Sequence, residues 1–216
     1  MNARSMKDKM TDIKACFENI DVFGVCESWL NQTIPDAKIN WSGSTIFRLD
    51  RVTDRAGGLV TYIKNEISSY VTVVDDACII NDDIEVLTTS ICIPNHRRKL
   101  ICNIYRPPGG NRKRFVDHLD NILEGQDTIN VDLWLGGDYN IDFAKKGDNK
   151  YEELGGFIAS HNFKVLIDKI TRPESGTIID NIITNADDIV YCNPVPDLIS
   201  DHLPVIAVQK KKGKNV

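Results

Sequence analysis

The segment Leu198-Ile-Ser-Asp-His-Leu-Pro204 lies near the end of the chain and places an acid and a histidine directly before a short apolar run. Two other segments also place polar residues beside an apolar run, but after it: these are Gly137-Asp-Tyr-Asn140 and Glu27. Polar groups at points where strands meet loops can bind metals and transfer protons along one edge of a sheet. These segments therefore indicate chemistry on phosphate.

The composition is that of an ordinary globular protein. The chain has 216 residues, of which 42% are hydrophobic and 26% are charged, and this size favours one domain with a single large core. We expect the domain to span 1–209 and a basic tail to follow over 210–216. The net charge of −5, from 26 basic and 31 acidic residues, argues mildly against a nucleic-acid partner.

The six cysteines lie mostly in apolar runs and form no CxxC pair. They are expected to be reduced and buried rather than bound to zinc or joined in disulfides. The sequence contains no signal-peptide pattern and no stretch of 18 apolar residues, so we expect an intracellular location and no membrane partner.

The hydrophobic pattern predicts a series of strands with a few helices between them. Helices are expected where Met6, Met10, Ile13 and Phe17 form an apolar face, and also over 111–124 and 150–160. Strands are expected over 21–28, 44–50, 57–64, 69–75, 84–93, 99–105, 131–135, 164–167, 177–184 and 204–209. Because several strands follow one another without helices, they should pair antiparallel, in two sheets packed face to face with helices outside.

Glu27, Asp138 and Asn140 are the first candidates for a site. Glu27 at a strand end could bind a hard cation such as Mg²⁺, although alone it could equally be a capping or ion-pairing residue. Asp138 could activate water while Asn140 donates to a phosphoryl oxygen. The two residues are equally suited to an Asx turn. The glycines before them would let the backbone approach a ligand closely.

His202 is the histidine best placed for catalysis, because it follows Asp201 and precedes a predicted strand. A catalytic histidine usually needs an acid that fixes its tautomer, and Asp180 lies in an apolar run where its carboxylate needs a partner. We therefore pair Asp180 with His202. His161, near a helix end, more readily complements the helix dipole.

Six motifs in order resemble the endonuclease/exonuclease/phosphatase superfamily, and within it the apurinic-type endonuclease domain of non-LTR (LINE-like) retrotransposons. The resemblance covers nearly the whole chain, from Asn2 to about Val208. The motifs are Asn2, Glu27-Ser-Trp29, Tyr105-Arg-Pro-Pro108, Gly137-Asp-Tyr-Asn140, Ile179-Asp-Asn181 and Ser200-Asp-His202. Six motifs in this order are far more specific than any one of them. The resemblance implies a four-layer α/β sandwich like that of DNase I.

The resemblance also implies a divalent metal, Mg²⁺ or Mn²⁺ in its place. The position matching Glu27 would be its main ligand, with help from the positions matching Asn2 and Asp201. A cation and well-placed donors stabilise the charge that accumulates on a phosphodiester in the transition state.

The same resemblance assigns roles around the phosphate. His202, oriented by Asp180, would act on the scissile phosphate or as a base, and Asp138 would position or activate the attacking water. Asn140 would help to bind the phosphate and Tyr105 would contact one of its oxygens, although an aromatic at a strand end often only packs against the sheet.

Three positions depart from the family pattern. A complete strand normally precedes the position of Asn2, so we expect the first strand to be truncated. Arg4 stands where repair relatives have an acid, and Pro108 replaces an asparagine that touches phosphate.

Three functions follow from the resemblance. The first is a metal-dependent endonuclease that nicks the target DNA of a retrotransposon, with a reverse transcriptase domain or element RNA as partner and a nuclear location if it acts on chromosomal DNA. The second is a phosphatase or phosphodiesterase of the same superfamily. The third is a truncated, inactive remnant that only binds DNA. Binding would involve the basic residues Arg112, Lys113 and Arg114, which could instead lie on a solvated loop.

Overall fold

The computed structural model of the chain describes residues 1–52, 56–126, 130–197 and 199–210. Of the expected basic tail only Lys210 lies inside these ranges, and Leu198 lies outside them. No helix in the described ranges is both long and apolar enough to cross a membrane.

The described ranges contain four α-helices and twelve strands. The helices are α1 (Met10–Phe17), α2 (Asn65–Ser68), α3 (Arg112–Glu124) and α4 (Asn149–Ser160). The strands are β1 (Val22–Cys26), β2 (Ser44–Leu49), β3 (Leu59–Lys64), β4 (Val71–Val73), β5 (Ile79–Ile80), β6 (Glu85–Ile91), β7 (Arg98–Tyr105), β8 (Val131–Asp138), β9 (Lys164–Val165), β10 (Asp180–Thr184), β11 (Ile189–Pro194) and β12 (Val205–Gln209).

The strands form two main sheets and a separate hairpin. The smaller sheet has the order β1-β3-β2, and the larger has the order β4-β6-β7-β8-β10-β9 with β5 added beside β6. The hairpin consists of β11 and β12. All pairs of named strands are antiparallel except β7 with β8, which are parallel. These two strands can run in the same direction because α3, which connects them, carries the chain back to the edge of the sheet where β7 begins.

The layers follow from where each apolar face is buried. Phe17 and Ile13 of α1 pack on the outer face of the smaller sheet, while Phe115 of α3 and Leu154 of α4 pack on the larger one. The inner faces meet around a small core, where the Asn103 amide donates to backbone carbonyls of the opposite sheet at 3.0 and 3.2 Å. The fold is the predicted four-layer sandwich of mostly antiparallel sheets flanked by helices.

Several predicted helix and strand boundaries differ from those in the structure. The first helix begins at Met10, not near Met6, whose side chain is nevertheless buried. The strand expected over 177–184 begins at Asp180, because Thr177 turns back to pair with Arg172. β5 and β11 were not predicted, since β5 has only two residues and much of β11 is exposed and lacks the alternation of a half-buried strand.

The first residues of the chain pair with the end of β1. Asn2 makes one parallel bridge to Cys26, with the Ala3 amide donating to the Cys26 carbonyl at 2.9 Å and the Cys26 amide donating to the Met1 carbonyl at 2.8 Å. The first three residues thus lie against the end of β1 and are buried there.

Gly137 fixes the spacing between β7 and β8. Its φ of +155° is rarely accessible to other residues, and a Cβ there would lie 1.8 Å from the Ile104 carbonyl oxygen. The backbone of Gly137 therefore closely approaches the neighbouring strand.

Candidate active site

Three neighbouring strands place their polar residues in one row. The register sets Tyr105 of β7 opposite Asp138 of β8, and Asp138 opposite Asp180 of β10. Residues directly opposite each other in a sheet project from the same face. All three are at least 96% buried, since their exposed fractions are 4%, 1% and 1%. The row faces the end of β1, where Glu27 follows Cys26.

A single side-chain amide joins the two halves of the site. Asn2 Nδ2 donates to Glu27 Oε1 at 3.0 Å and to Asp138 Oδ2 at 2.9 Å. The Asn2 backbone carbonyl accepts from Ser200 Oγ at 2.6 Å, and the His202 amide donates to the same hydroxyl at 3.1 Å. Residues nearly 200 positions apart are therefore held within a few hydrogen bonds of one another.

His202 and Asp180 form a buried pair beside Asp138. His202 Nδ1 lies 2.8 Å from Asp180 Oδ2 and 4.0 Å from Asp138 Oδ2. Burial lowers the pKa of His202, but its hydrogen bond to Asp180 and the charge of that carboxylate outweigh burial, so the pKa is raised. The Thr171 hydroxyl accepts from the Asp180 amide at 3.0 Å and so fixes the acid in place.

Asp138 is a carboxylate that resists ionisation. Burial and the nearby charge of Asp180 raise its pKa to about 7, while His202 acts in the opposite direction. A carboxyl group with a pKa close to neutral can take a proton from water more effectively than one with an ordinary pKa. Asp138 therefore has the properties of a general base.

Glu27 lies on a strained turn that is stabilised by hydrogen bonds from neighbouring residues. Its φ is +49° and that of Trp29 is +54°, a region that bulky residues rarely occupy. The Trp29 indole Nε1 donates to Glu27 Oε2 at 3.2 Å. The amides of Ser28 and Trp29 donate to the carbonyls of Gly58 and Gly57, each at 3.0 Å.

The glycine turn is in turn fixed by a fully buried acid. Glu85 Oε2 accepts from the Gly58 amide at 2.7 Å, and its Oε1 pairs with Arg51 at 2.5 Å. Burial raises the pKa of Glu85, with Arg51 opposing the shift. This chain of contacts explains the strain at Glu27, because the surroundings must hold such a conformation.

The comparisons with known proteins identify the family. A family model described as endonuclease-reverse transcriptase matches residues 99–206. The chain belongs to the endonuclease/exonuclease/phosphatase superfamily. The matched range contains Tyr105, Asp138, Asp180 and His202, whereas Glu27 lies before it. No curated protein matches the chain significantly.

Solved structures agree on the superfamily fold. The endonuclease domain of TRAS1, a telomere-specific non-LTR retrotransposon, has a TM-score of 0.71 and 15% identity, over 98% of this chain and 97% of that one. The AP endonuclease LMAP from Leishmania major has a TM-score of 0.71 and 16% identity, over 94% and 84%. The 3′ phosphatase NExo from Neisseria, bound to a product DNA hairpin, has a TM-score of 0.67 and 13% identity, over 97% of each chain.

Two groups of side chains could bind a divalent metal, and the carboxylates of Glu27 and Asp138 beside Asn2 fit a hard cation better than the group of Asp138, Asp180 and His202. The ligand atoms of Asp138, Asp180 and His202 lie within 4.8 Å of one another, but the His202 ring nitrogen in this group is already bonded to Asp180. Glu27 and Asp138 present carboxylate oxygens on either side of one amide, and Mg²⁺ is usually bound by one or two carboxylates plus water. The residues present therefore fit the divalent metal that the superfamily implies.

Asn140 and Tyr105 reach the site but are occupied within the protein. Asn140 has a φ of +47°, and its amide Nδ2 donates to the Arg106 carbonyl at 2.8 Å and to Asp138 Oδ2 at 3.3 Å. Asp138 Oδ1 accepts from the Asn140 backbone amide at 2.9 Å, so the Asx turn coexists with the site. Burial and the charge of Glu27 raise the pKa of Tyr105 well above its ordinary value.

Asp201 lies beside the site but faces two cations. Its Oδ2 pairs with Arg4 at 3.0 Å and with Arg172 at 2.9 Å. Its Oδ1 is buried and has no hydrogen-bond partner. Only this second oxygen is available for the metal that the resemblance assigned to Asp201.

The predicted DNA-binding cluster lies at the start of α3, and each cation has an acid nearby. Lys113 pairs with Asp117 at 3.0 Å. The other two pairs are longer, at 3.7 Å, with Glu153 opposite Arg112 and Asp83 opposite Arg114. The carboxylates offset much of the charge, and the role of this cluster in DNA binding stays a prediction.

Sequence reasoning missed the residues that support the site from behind. Thr171 and Glu85 act through hydrogen bonds to backbone amides, a function that leaves no pattern in the sequence. Ser200 was quoted only as part of a motif, although its hydroxyl links Asn2 to His202.

Proposed function

We propose that this protein is a metal-dependent endonuclease that hydrolyses a DNA phosphodiester bond and nicks target DNA for a non-LTR retrotransposon. One observation carries the proposal: the Asn2 amide holds Glu27 and Asp138 together beside the buried His202–Asp180 pair. This arrangement combines oxygen ligands, a base and a hydrogen-bond donor within a few hydrogen bonds of one another.

Glu27, with Asn2 and the free oxygen of Asp201 nearby, would hold Mg²⁺ or Mn²⁺. The bound metal supplies positive charge that stabilises the phosphoryl oxygens. The Trp29 indole and the Asn2 amide orient the two oxygens of Glu27 toward that role.

The chain itself supplies the base. Asp138 takes a proton from water, the water oxygen forms a bond to phosphorus, and the bond from phosphorus to the 3′ oxygen breaks. The leaving oxygen takes up a proton from solvent water and becomes a 3′ hydroxyl, which a reverse transcriptase can extend. His202, whose protonated form is favoured by Asp180, donates from its other ring nitrogen to a phosphoryl oxygen. Tyr105 and Asn140 lie beside Asp138.

The comparisons support DNA as substrate. The TRAS1 domain is an endonuclease of a retrotransposon, and the Leishmania protein is an AP endonuclease. In this reading the partner is a reverse transcriptase domain or the element RNA, and the enzyme acts on chromosomal DNA in the nucleus.

A plasmid-nicking assay tests the proposal. Supercoiled plasmid should be nicked in Mg²⁺ but not in EDTA, and Glu27→Ala, Asp138→Asn and His202→Ala should each slow nicking by about 10²–10⁴-fold. His161→Ala is a matched control, because His161 also pairs with an acid, Asp120, at 2.7 Å, on the surface away from the site.

The same preparations distinguish the alternatives. Release of phosphate from a phosphoinositide or a 3′-phosphorylated oligonucleotide without nicking would favour a phosphatase. Binding of DNA with neither reaction would favour an inactive remnant. Nicking that persists in His202→Ala at the wild-type rate would remove that residue from the mechanism.

A further inference from the structure

We propose that Arg4 and Arg172 form a phosphate-binding subsite for DNA, at a phosphodiester next to the one that is cleaved. This inference rests on the proposed function and adds a substrate contact to it. Arg4, Arg172 and Asp201 are together called the arginine fork below.

The arginine fork converges on a single carboxylate oxygen. Arg172 donates from Nε at 3.2 Å and from Nη2 at 2.9 Å, and Arg4 Nη1 lies 3.0 Å from the same atom, Asp201 Oδ2. The Asp201 side chain is only 11% exposed, while those of Arg4 and Arg172 are 48% and 28% exposed. The acid therefore anchors two guanidinium groups that remain open to solvent.

The fork keeps unused donors and an excess of positive charge. Among the described residues, most N–H groups of the two guanidinium side chains have no protein partner, because Asp201 accepts only a few of them. Two cations against one anion leave a net positive charge. Guanidinium groups with free, planar N–H donors match the oxygens of a phosphate.

The fork is attached directly to the catalytic residues. The Arg4 backbone amide donates to Asn2 Oδ1 at 3.0 Å, and Asp201 immediately precedes His202. Arg172 follows Thr171, whose carbonyl accepts from the Leu203 amide at 2.7 Å. Any phosphate on the fork would thus lie a short distance from the proposed scissile position.

The conformation of the Arg4 segment is pre-organised. Arg4 and Ser5 have φ angles of +43° and +73°, which are unfavourable for these residues. Hydrogen bonds hold the segment: Lys9 Nζ donates to the Ala3 carbonyl at 2.6 Å, and the amides of Ser5 and Met6 donate to the carbonyls of residues 27 and 28 at 2.9 and 3.1 Å. Strain that the surroundings sustain often marks a functional position.

The positive charge of the fork would offset the negative charge of the candidate site. Glu27, Asp138 and Asp180 would repel the DNA backbone, and the whole chain has a net charge of −5. Positive groups beside such a site attract the strand and fix its register without reading its sequence.

Binding of a labelled DNA duplex in EDTA tests the fork separately from catalysis. Fluorescence anisotropy over a range of KCl concentrations gives the slope of log affinity against log salt. Arg4→Ala and Arg172→Ala should each reduce that slope by about 0.9 and the double variant by about twice as much, when each is measured well below its own melting temperature. Arg4→Lys should retain the slope, because the charge remains.

Arg97→Ala is the matched control. Arg97 is 45% exposed and pairs at 3.2 Å with Asp132, an acid that is almost buried at the opposite end of β8. Its removal should leave the slope unchanged. An equal loss in Arg97→Ala, wild-type slopes in both fork variants, or no binding by the wild-type protein would each overturn the proposal.

Methylphosphonate substitution locates the contact on the DNA. One phosphate at a time is replaced by a neutral group. At one position this replacement should weaken binding by the wild-type protein but should not weaken binding by the Arg4→Ala variant any further, because that variant has already lost the contact. Additive losses at every position would also contradict the fork. Nicking in Mg²⁺ is measured on the same samples, so a failure of the proposed function is distinguishable from a failure of the fork.

Discussion

Replacing Asp138 by asparagine should make the protein more stable at pH 8 and less stable at pH 4. The carboxyl group is 99% buried beside the Asp180 carboxylate, and burial together with that charge raises its pKa from 3.8 to about 7. Because the folded-state pKa is the higher one, the protonated group stabilises the fold fully below about pH 4. That contribution is lost as the pH rises through about 7.

The magnitude follows from the displacement of the pKa. One pKa unit corresponds to about 1.4 kcal/mol, so the pH-dependent part of the effect is at most about 4 kcal/mol. The asparagine variant avoids this cost but leaves the amide donors of Asn2 and Asn140 without their acceptor, at about 1–3 kcal/mol. The net gain at pH 8 should be about 1–3 kcal/mol, or a rise of about 2–12 °C in melting temperature.

Thermal unfolding in EDTA at a series of pH values measures this difference. Asp132→Asn is the control, because Asp132 lies on the same strand and is 5% exposed but pairs with Arg97 and Lys99. That variant should be destabilised at pH 8. The free energy of unfolding of Asp138→Asn, minus that of the wild type, should rise between pH 4 and pH 8. If it does not rise, our account of the buried carboxyl group is wrong.

Three further substitutions test the supports of the site. Gly137→Ala should lower the free energy of unfolding by more than about 2 kcal/mol, whereas Gly147→Ala, with open space around its Cβ position, should have little effect; urea unfolding compares them. Glu85→Gln should raise the Mg²⁺ concentration for half-maximal nicking about tenfold, and an unchanged metal dependence with normal folding would exclude its role. Trp29→Phe, which removes the donor to Glu27, should raise the same concentration by a smaller factor of about 2–5, and a metal titration without this shift would show that the indole does not orient Glu27.

Much of the fold could be predicted because its patterns are local. The apolar face of α3 follows from the helical period, and the main strands are short apolar runs, so these elements were placed to within a few residues. The parallel pairing of β7 with β8 could not be read in the same way, since it depends on where α3 returns the chain. The two-residue strand β5 is too short to show any period.

The candidate site shows the same division. Glu27, Asp138, Asp180 and His202 were chosen from their positions at strand ends, and the structure brings all four together, while their catalytic roles stay proposals. The metal-binding role of Asp201 stays a prediction, because one of its oxygens pairs with Arg4 and Arg172 while the other has no hydrogen-bond partner.

The sequence alone determined which chemical groups this protein offers, in which order, and at which strand ends, because local patterns of polarity record where the chain is buried and where it turns. Only the tertiary structure decided that one amide, Asn2, joins Glu27 to Asp138, and that Glu85 supports the turn behind them. These contacts join residues as many as 136 positions apart. Such pairings depend on strand register and sheet packing, which arise from many weak contacts across the whole fold and are not encoded at any single position.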